Sequence, residues 1–105
     1  MARRTDVPDL ESLRLMKTEI QRLAAEQRAF NIRVFGSVAK GEATSNSDVD
    51  LIVDLDPDLG GFEAFDRLDR LERALARLLR RPVHVVTAGH DSSFANRIRR
   101  DAQLL

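Results

Sequence analysis

Gly36-Ser37-Val38-Ala39-Lys40-Gly41-Glu42-Ala43-Thr44-Ser45-Asn46-Ser47-Asp48-Val49-Asp50-Leu51-Ile52-Val53 is the stretch that decides how this chain is read. Before it stands Phe30-Asn31-Ile32-Arg33-Val34-Phe35, short and rich in β-branched and aromatic residues, which predicts a strand. Gly36 ends that strand, and Ser37 to Gly41 predicts a helical turn. A strand that passes through Gly-Ser into a helix start presents backbone N–H groups and a hydroxyl, a setting that favours phosphate. Gly lacks the side chain that would block close approach, and Lys40, one helical turn on, adds positive charge. Residues 42–47 are a polar loop. Residues 48–54 then predict a second strand, with Val49, Leu51 and Val53 on one face.

Asp48 and Asp50 open that second strand. Residues two apart on a strand face one side, with β-carbons ~7 Å apart. Two like charges beside an apolar run are costly unless a cation or a basic group neutralises them. Mg²⁺ is a hard cation that takes oxygen ligands and shares substrate phosphates with one or two carboxylates. A phosphate cradle followed by a metal-binding acid pair is far more specific than either half alone.

Outward from this centre the pattern alternates. Leu10, Leu13, Met16, Ile20 and Leu23 recur at helical spacing, so residues 9–29 predict one amphipathic helix with Asp9 and Glu11 in its first turn. After a Pro57/Gly60/Gly61 loop, residues 62–81 predict a long helix. Its stripe is Phe62, Phe65, Leu68, Leu71, Leu75, Leu78 and Leu79, and its other face carries acid–arginine partners such as Glu63–Arg67 and Asp69–Arg73. Residues 83–87 predict a third strand. A last helix, capped at Asp91 or Ser92, would place Phe94, Ile98 and Ala102 on one face. The expectation is a single α/β domain over residues 1–105, a small sheet packed by helices.

The bulk figures exclude several classes. Of 105 residues, 43% are hydrophobic and 32% charged, a globular balance. Lys+Arg and Asp+Glu are both 17, so strong nucleic-acid binding is not expected, and the absence of Trp and Tyr removes most stacking platforms. Cysteine is absent, which rules out disulfides and thiolate metal sites. No apolar run approaches a membrane span, and residues 1–6 carry no secretory pattern, so a cytoplasmic protein is expected. A chain this small gains from a homo- or hetero-oligomeric partner.

The segment Gly36 to Val53 resembles the signature of minimal nucleotidyltransferases of the DNA-polymerase-beta-like superfamily. The similarity runs on through Asp54-Leu55-Asp56-Pro57, the long helix, the strand after Arg81-Pro82 and the final helix, and so covers nearly the whole chain. The resemblance implies the nucleotidyltransferase fold, α/β (α+β) with a small mixed sheet packed by helices. It implies that Gly36, Ser37 and Lys40 bind the phosphates of ATP or another nucleoside triphosphate, and that Asp48 and Asp50 bind Mg²⁺. Family members of this size are often antitoxins paired with a helical HEPN-type toxin, and some transfer AMP to a tyrosine of that toxin. Transfer to a small molecule is disfavoured, because no residues remain for an acceptor domain.

One position departs from the family pattern. The family's third carboxylate belongs on the next strand, where this chain has Val83-His84-Val85-Val86. Neutral imidazole can serve as a general base but is a poor Mg²⁺ ligand, and Mn²⁺ tolerates nitrogen better. His84 therefore joins Asp48 and Asp50 as a candidate catalytic residue, with weakened or lost transfer and retained nucleotide binding as the expectation. The rival reading is an antitoxin that acts by contact alone. Asp54 shares strand parity with Asp50 but lies ~13 Å along the strand, too far to replace the missing acid. His90 reads as a loop or capping residue.

Overall fold

The computed structural model describes residues 7–87 and 102–105. Its elements are α1 (Leu10–Leu15), α2 (Lys17–Glu26), β1 (Ala29–Phe35), α3 (Gly36–Lys40), β2 (Val49–Leu55), α4 (Gly61–Leu79), β3 (Val83–Thr87) and β4 (Gln103–Leu104). They form a mixed four-stranded sheet in the order β3-β2-β1-β4, with β1 antiparallel to β2 and β4, and β2 parallel to β3.

The alternation in β2 decides which side of the sheet faces the helices. Val49, Leu51 and Val53 are almost fully buried and join Ile32, Val34, Val83 and Val85 in one apolar cluster. Leu13, Ile20, Ala24, Leu71 and Leu75 complete it from the helices. A one-residue slip would turn every one of the strand residues to the other face, so this burial also fixes the register. Register in turn places Asp50 opposite Phe35 on β1 and His84 on β3.

Several expectations need correction. The first helix is two helices, broken at Met16, whose φ of −104° and ψ of 16° leave the helical region. No proline or glycine marks the break; both pieces still bury their apolar residues, Leu13 and Ile20. Asp9 is the N-cap of α1, accepting from the Ser12 N–H at 2.7 Å. The chain leaves α2 through Arg28 at φ 63°, a left-handed conformation unusual for arginine. Arg28 is held there by its ion pair with Asp56 and by the Asp56 N–H, which donates to the Arg28 carbonyl at 3.0 Å.

α4 buries Leu71 and Leu75, with Leu68, Leu78 and Leu79 partly buried. The first turn of the expected stripe is not core: Phe62 is 97% exposed and Phe65 74%. The Glu63–Arg67 and Asp69–Arg73 pairs form at 3.8 and 3.2 Å, joined by Asp66–Arg70 at 2.9 Å. As exposed i,i+4 pairs they contribute about 0.3–0.5 kcal/mol each at most.

The expected last helix falls mainly outside the described residues. Ala102 itself is not helical, and Gln103–Leu104 pairs with β1 as a strand too short to show periodicity. The Leu105 N–H donates to the Ile32 carbonyl, and Arg14 donates to the Leu104 carbonyl at 2.8 Å. Among the described residues, no helix is long and apolar enough to cross a membrane.

Candidate nucleotidyl-transfer site

The β1–α3 turn is where the acids meet the backbone. Gly36 has φ +74°, and a β-carbon built on it would lie 2.5 Å from Asp50 Oδ2 and 3.3 Å from the Asp50 carboxyl carbon. Glycine here answers two demands at once, a left-handed backbone and a carboxylate packed against its α-carbon. Ser37 follows in the first turn of α3, partly buried, while Val38 anchors the helix in the core. Lys40 is exposed in the last turn, and Gly41 at φ +72° closes the helix.

Asp48 lies one residue before β2, at the end of a loop tied down by hydroxyls. The Thr44 N–H donates to Ser47 Oγ at 2.8 Å, and the Ser47 N–H donates to the Thr44 carbonyl at 3.0 Å. The Arg81 guanidinium, arriving from the end of α4, donates to the carbonyls of Ser45 and Ser47 at 3.3 and 3.0 Å. The Val49 N–H then donates to the Pro82 carbonyl at 3.1 Å, which starts the β2–β3 pairing directly after Asp48. The Ser/Thr loop chemistry is visible in sequence. Arg81's part is not, because it depends on a contact across 34 residues.

His84 is brought to the acids by the parallel pairing. Its neighbours Val83 and Val85 are buried on the helix side, so the imidazole stands on the opposite side with Asp50. Glu72 of α4 accepts the Val85 N–H at 2.8 Å and holds β3 in place beside it. His84 Nε2 lies 3.0 Å from Asp48 Oδ2. Burial pushes the Asp50 carboxyl above its ordinary value; the His84 charge opposes this, and the Asp48 charge adds to it.

Of the residues expected from sequence, then, the structure brings Gly36 against Asp50 and His84 against Asp48, with Ser37 adjoining by chain. Lys40 sits at the far end of the same short helix. Asp54 belongs elsewhere: Asn31, at φ 53° in the irregular part of β1, donates to its carboxylate at 2.9 Å. His90 lies outside the described residues. No group of three or more His, Cys, Asp or Glu side chains among the described residues forms a ready-made metal cage. The donor set is two carboxylates two residues apart at the start of β2, the arrangement that suits an ion completing its shell with phosphate oxygens and water.

Comparison with known proteins gives the family and the fold. The family model of the nucleotidyltransferase domain matches residues 13–104. The chain belongs to the nucleotidyltransferase family. This nucleotidyltransferase matches none of the curated proteins. Among solved structures it is similar to a provisionally assigned minimal nucleotidyltransferase, with 36% identity, a TM-score of 0.76, and 92% of this chain and 96% of that one covered. It also shares its fold with a chain from a toxin–antitoxin structure solved with AMP-PNP, at 22% identity and a TM-score of 0.66, covering 84% of this chain and 70% of that one.

Proposed function

We propose that this nucleotidyltransferase moves a nucleoside monophosphate, AMP from ATP, onto a hydroxyl of a partner protein, acting as the antitoxin of a HEPN-type toxin. The observation that carries the reading is the contact between Gly36 and the Asp50 carboxylate, which makes the glycine–serine turn and the acid pair one site. The neighbour solved with AMP-PNP as a toxin–antitoxin supports an adenine nucleotide and a protein partner.

In this reading the Gly36 backbone, Ser37 and Lys40 hold the triphosphate, and Asp48 and Asp50 hold Mg²⁺. The ion, when bound, neutralises charge on the attacking and leaving oxygens. The acceptor oxygen forms a bond to the α-phosphorus, the bond from that phosphorus to the bridging oxygen of the β-phosphate breaks, and pyrophosphate leaves. The hydroxyl proton passes to the cluster of Asp48, Asp50 and His84. Arg81 and Glu72 are positioning residues, the first for the Asp48 loop and the second for β3.

A second reading, an antitoxin that neutralises its partner by binding alone, is favoured by one specific observation. The third-carboxylate place is filled by an imidazole already engaged with Asp48. Calorimetric titration of Mg²⁺-ATP into the protein, beside an Asp48→Asn/Asp50→Asn double variant, tests the choice. Binding that needs both the ion and the aspartates is expected. No binding to folded protein would remove the transfer reading and leave the contact-only one.

A further inference from the structure

We propose that His84 selects the metal: with Asp48 it offers a divalent ion one nitrogen and one oxygen donor, so the site prefers Mn²⁺ to Mg²⁺ by a wider margin than an all-carboxylate site would. The inference rests on the nucleotidyl-transfer reading of this site, narrows it to the identity of the ion, and takes His84 out of the proton's path.

The first support is distance. His84 Nε2 and Asp48 Oδ2 are 3.0 Å apart. That is a hydrogen-bond distance, so the two donor atoms are near enough to reach one ion once the bond between them is given up and the side chains turn. The second support is the rigidity of both supports. Val83 and Val85 are buried on either side of His84, and Glu72 accepts the intervening edge N–H of Val85. On the other side, Arg81 and the Thr44–Ser47 turn fix the loop before Asp48. The third is ligand chemistry. Mg²⁺ takes oxygen almost to the exclusion of nitrogen, whereas imidazole suits transition-series ions. A nitrogen that binds an ion cannot also take up a proton, so the acceptor's proton then falls to the carboxylates.

Mn²⁺ itself provides the probe, because its binding is read directly by electron paramagnetic resonance, without turnover. Mn²⁺ and Mg²⁺ affinities are measured, with AMP-PNP present, for the wild-type protein and for His84→Asp and His84→Gln. Electron spin-echo modulation from nitrogen is recorded on Mn²⁺-loaded samples. Protein labelled with ¹⁵N-histidine separates imidazole from adenine nitrogen, and His84→Gln separates His84 from His90.

The expected result is histidine nitrogen modulation in the wild type that disappears in both variants. The Mn²⁺/Mg²⁺ affinity ratio should fall about tenfold in His84→Asp, the equivalent of about 1.4 kcal/mol. Binding of Mn²⁺ with no histidine modulation in the wild type would overturn the proposal while leaving the nucleotidyl-transfer reading intact. An unchanged ratio in His84→Asp, or in His84→Gln if the aspartate variant fails to fold, would do the same. Folded wild-type protein that binds neither ion would overturn both.

Discussion

Replacing Gly36 with alanine should damage the acid site more than it damages the fold. The new β-carbon meets two separate obstacles. Gly36 lies at φ +74°, and holding an L-residue in the left-handed region costs roughly 1–2 kcal/mol. The β-carbon would also fall 2.5 Å from Asp50 Oδ2, so the carboxylate must retreat by about 1 Å, a displacement that at a reacting centre can lower the rate about a hundredfold. Gly41 supplies the control. Its φ of +72° carries the same backbone penalty, but nothing lies within 4 Å of the β-carbon it lacks. Urea denaturation should therefore show losses of about 1–2 kcal/mol for both Gly36→Ala and Gly41→Ala, or about 4–8 °C in melting temperature per kcal/mol. Calorimetry with Mg²⁺ and AMP-PNP should separate them: binding weakened about tenfold or more, at least about 1.4 kcal/mol, in Gly36→Ala alone. Equal binding by the two variants would refute the argument that the glycine makes room for the carboxylate.

The remaining predictions concern core, surface and pH. Leu71→Ala removes a side chain with no exposed surface and should destabilise by about 2–5 kcal/mol in urea. Phe65→Ser, at a position 74% exposed, should change the same midpoint by less than about 0.5 kcal/mol; a larger loss would mean that the ring is covered in solution. The Asp56 carboxyl is held below its ordinary value by the Asp58 N–H and by Arg28. A carboxyl whose value is depressed by folding adds stability above its unfolded value of about 3.9, and that stability is lost as pH falls through the folded value. The stability gap between wild type and Asp56→Asn should accordingly be open at pH 7 and close on acidification below about pH 4. A gap that stays constant with pH would show that the ion pair is not its source. Asp50 runs the other way: its carboxyl is raised by burial, so its charge opposes folding above the folded value. Asp50→Asn should be at least as stable as wild type at pH 7, and a clear loss would show that the charge is compensated by a group not identified above.

Much of the fold was legible because the strands carry period-two burial and α4 carries a long stripe. Val49, Leu51 and Val53 alternate with Asp50 and Ile52, and that alternation sets strand, face and register together. The break at Met16 was not legible, since no glycine or proline marks it and the apolar spacing continues across it. The exposure of Phe62 and Phe65 was hidden for a related reason: a stripe shows which side of a helix is apolar but not where its neighbour ends. β4 is two residues long, below the length at which any period can be read. At the candidate site, the motif names candidate residues, but the contact that requires glycine at 36 is not in it. Sequence suggested room for a phosphate, whereas the structure shows room taken by Asp50. The bond from His84 to Asp48 depends on parallel pairing between strands separated by α4, which no local pattern encodes.

The same pairing explains what an imidazole at position 84 changes. A carboxylate there would face two others across the β2–β3 register. At a separation of about 5 Å and an effective dielectric near 20, each like-charge pair would oppose folding by up to about 3 kcal/mol, less where solvent screens it. His84 removes that repulsion and gives Asp48 a hydrogen-bond partner, so the metal-free site is held together by its own groups. The opposing effect would fall on a bound cation, which would meet two negative charges where three would attract it more strongly. Burial of Val83 and Val85 fixes β3 whether residue 84 is His or Asp, because neither side chain lies on the helix side. The place of β3 in the sheet is thus insulated from the choice, and its consequences fall on stability, through the repulsion that His84 removes, and on the cation that the proposed site would hold.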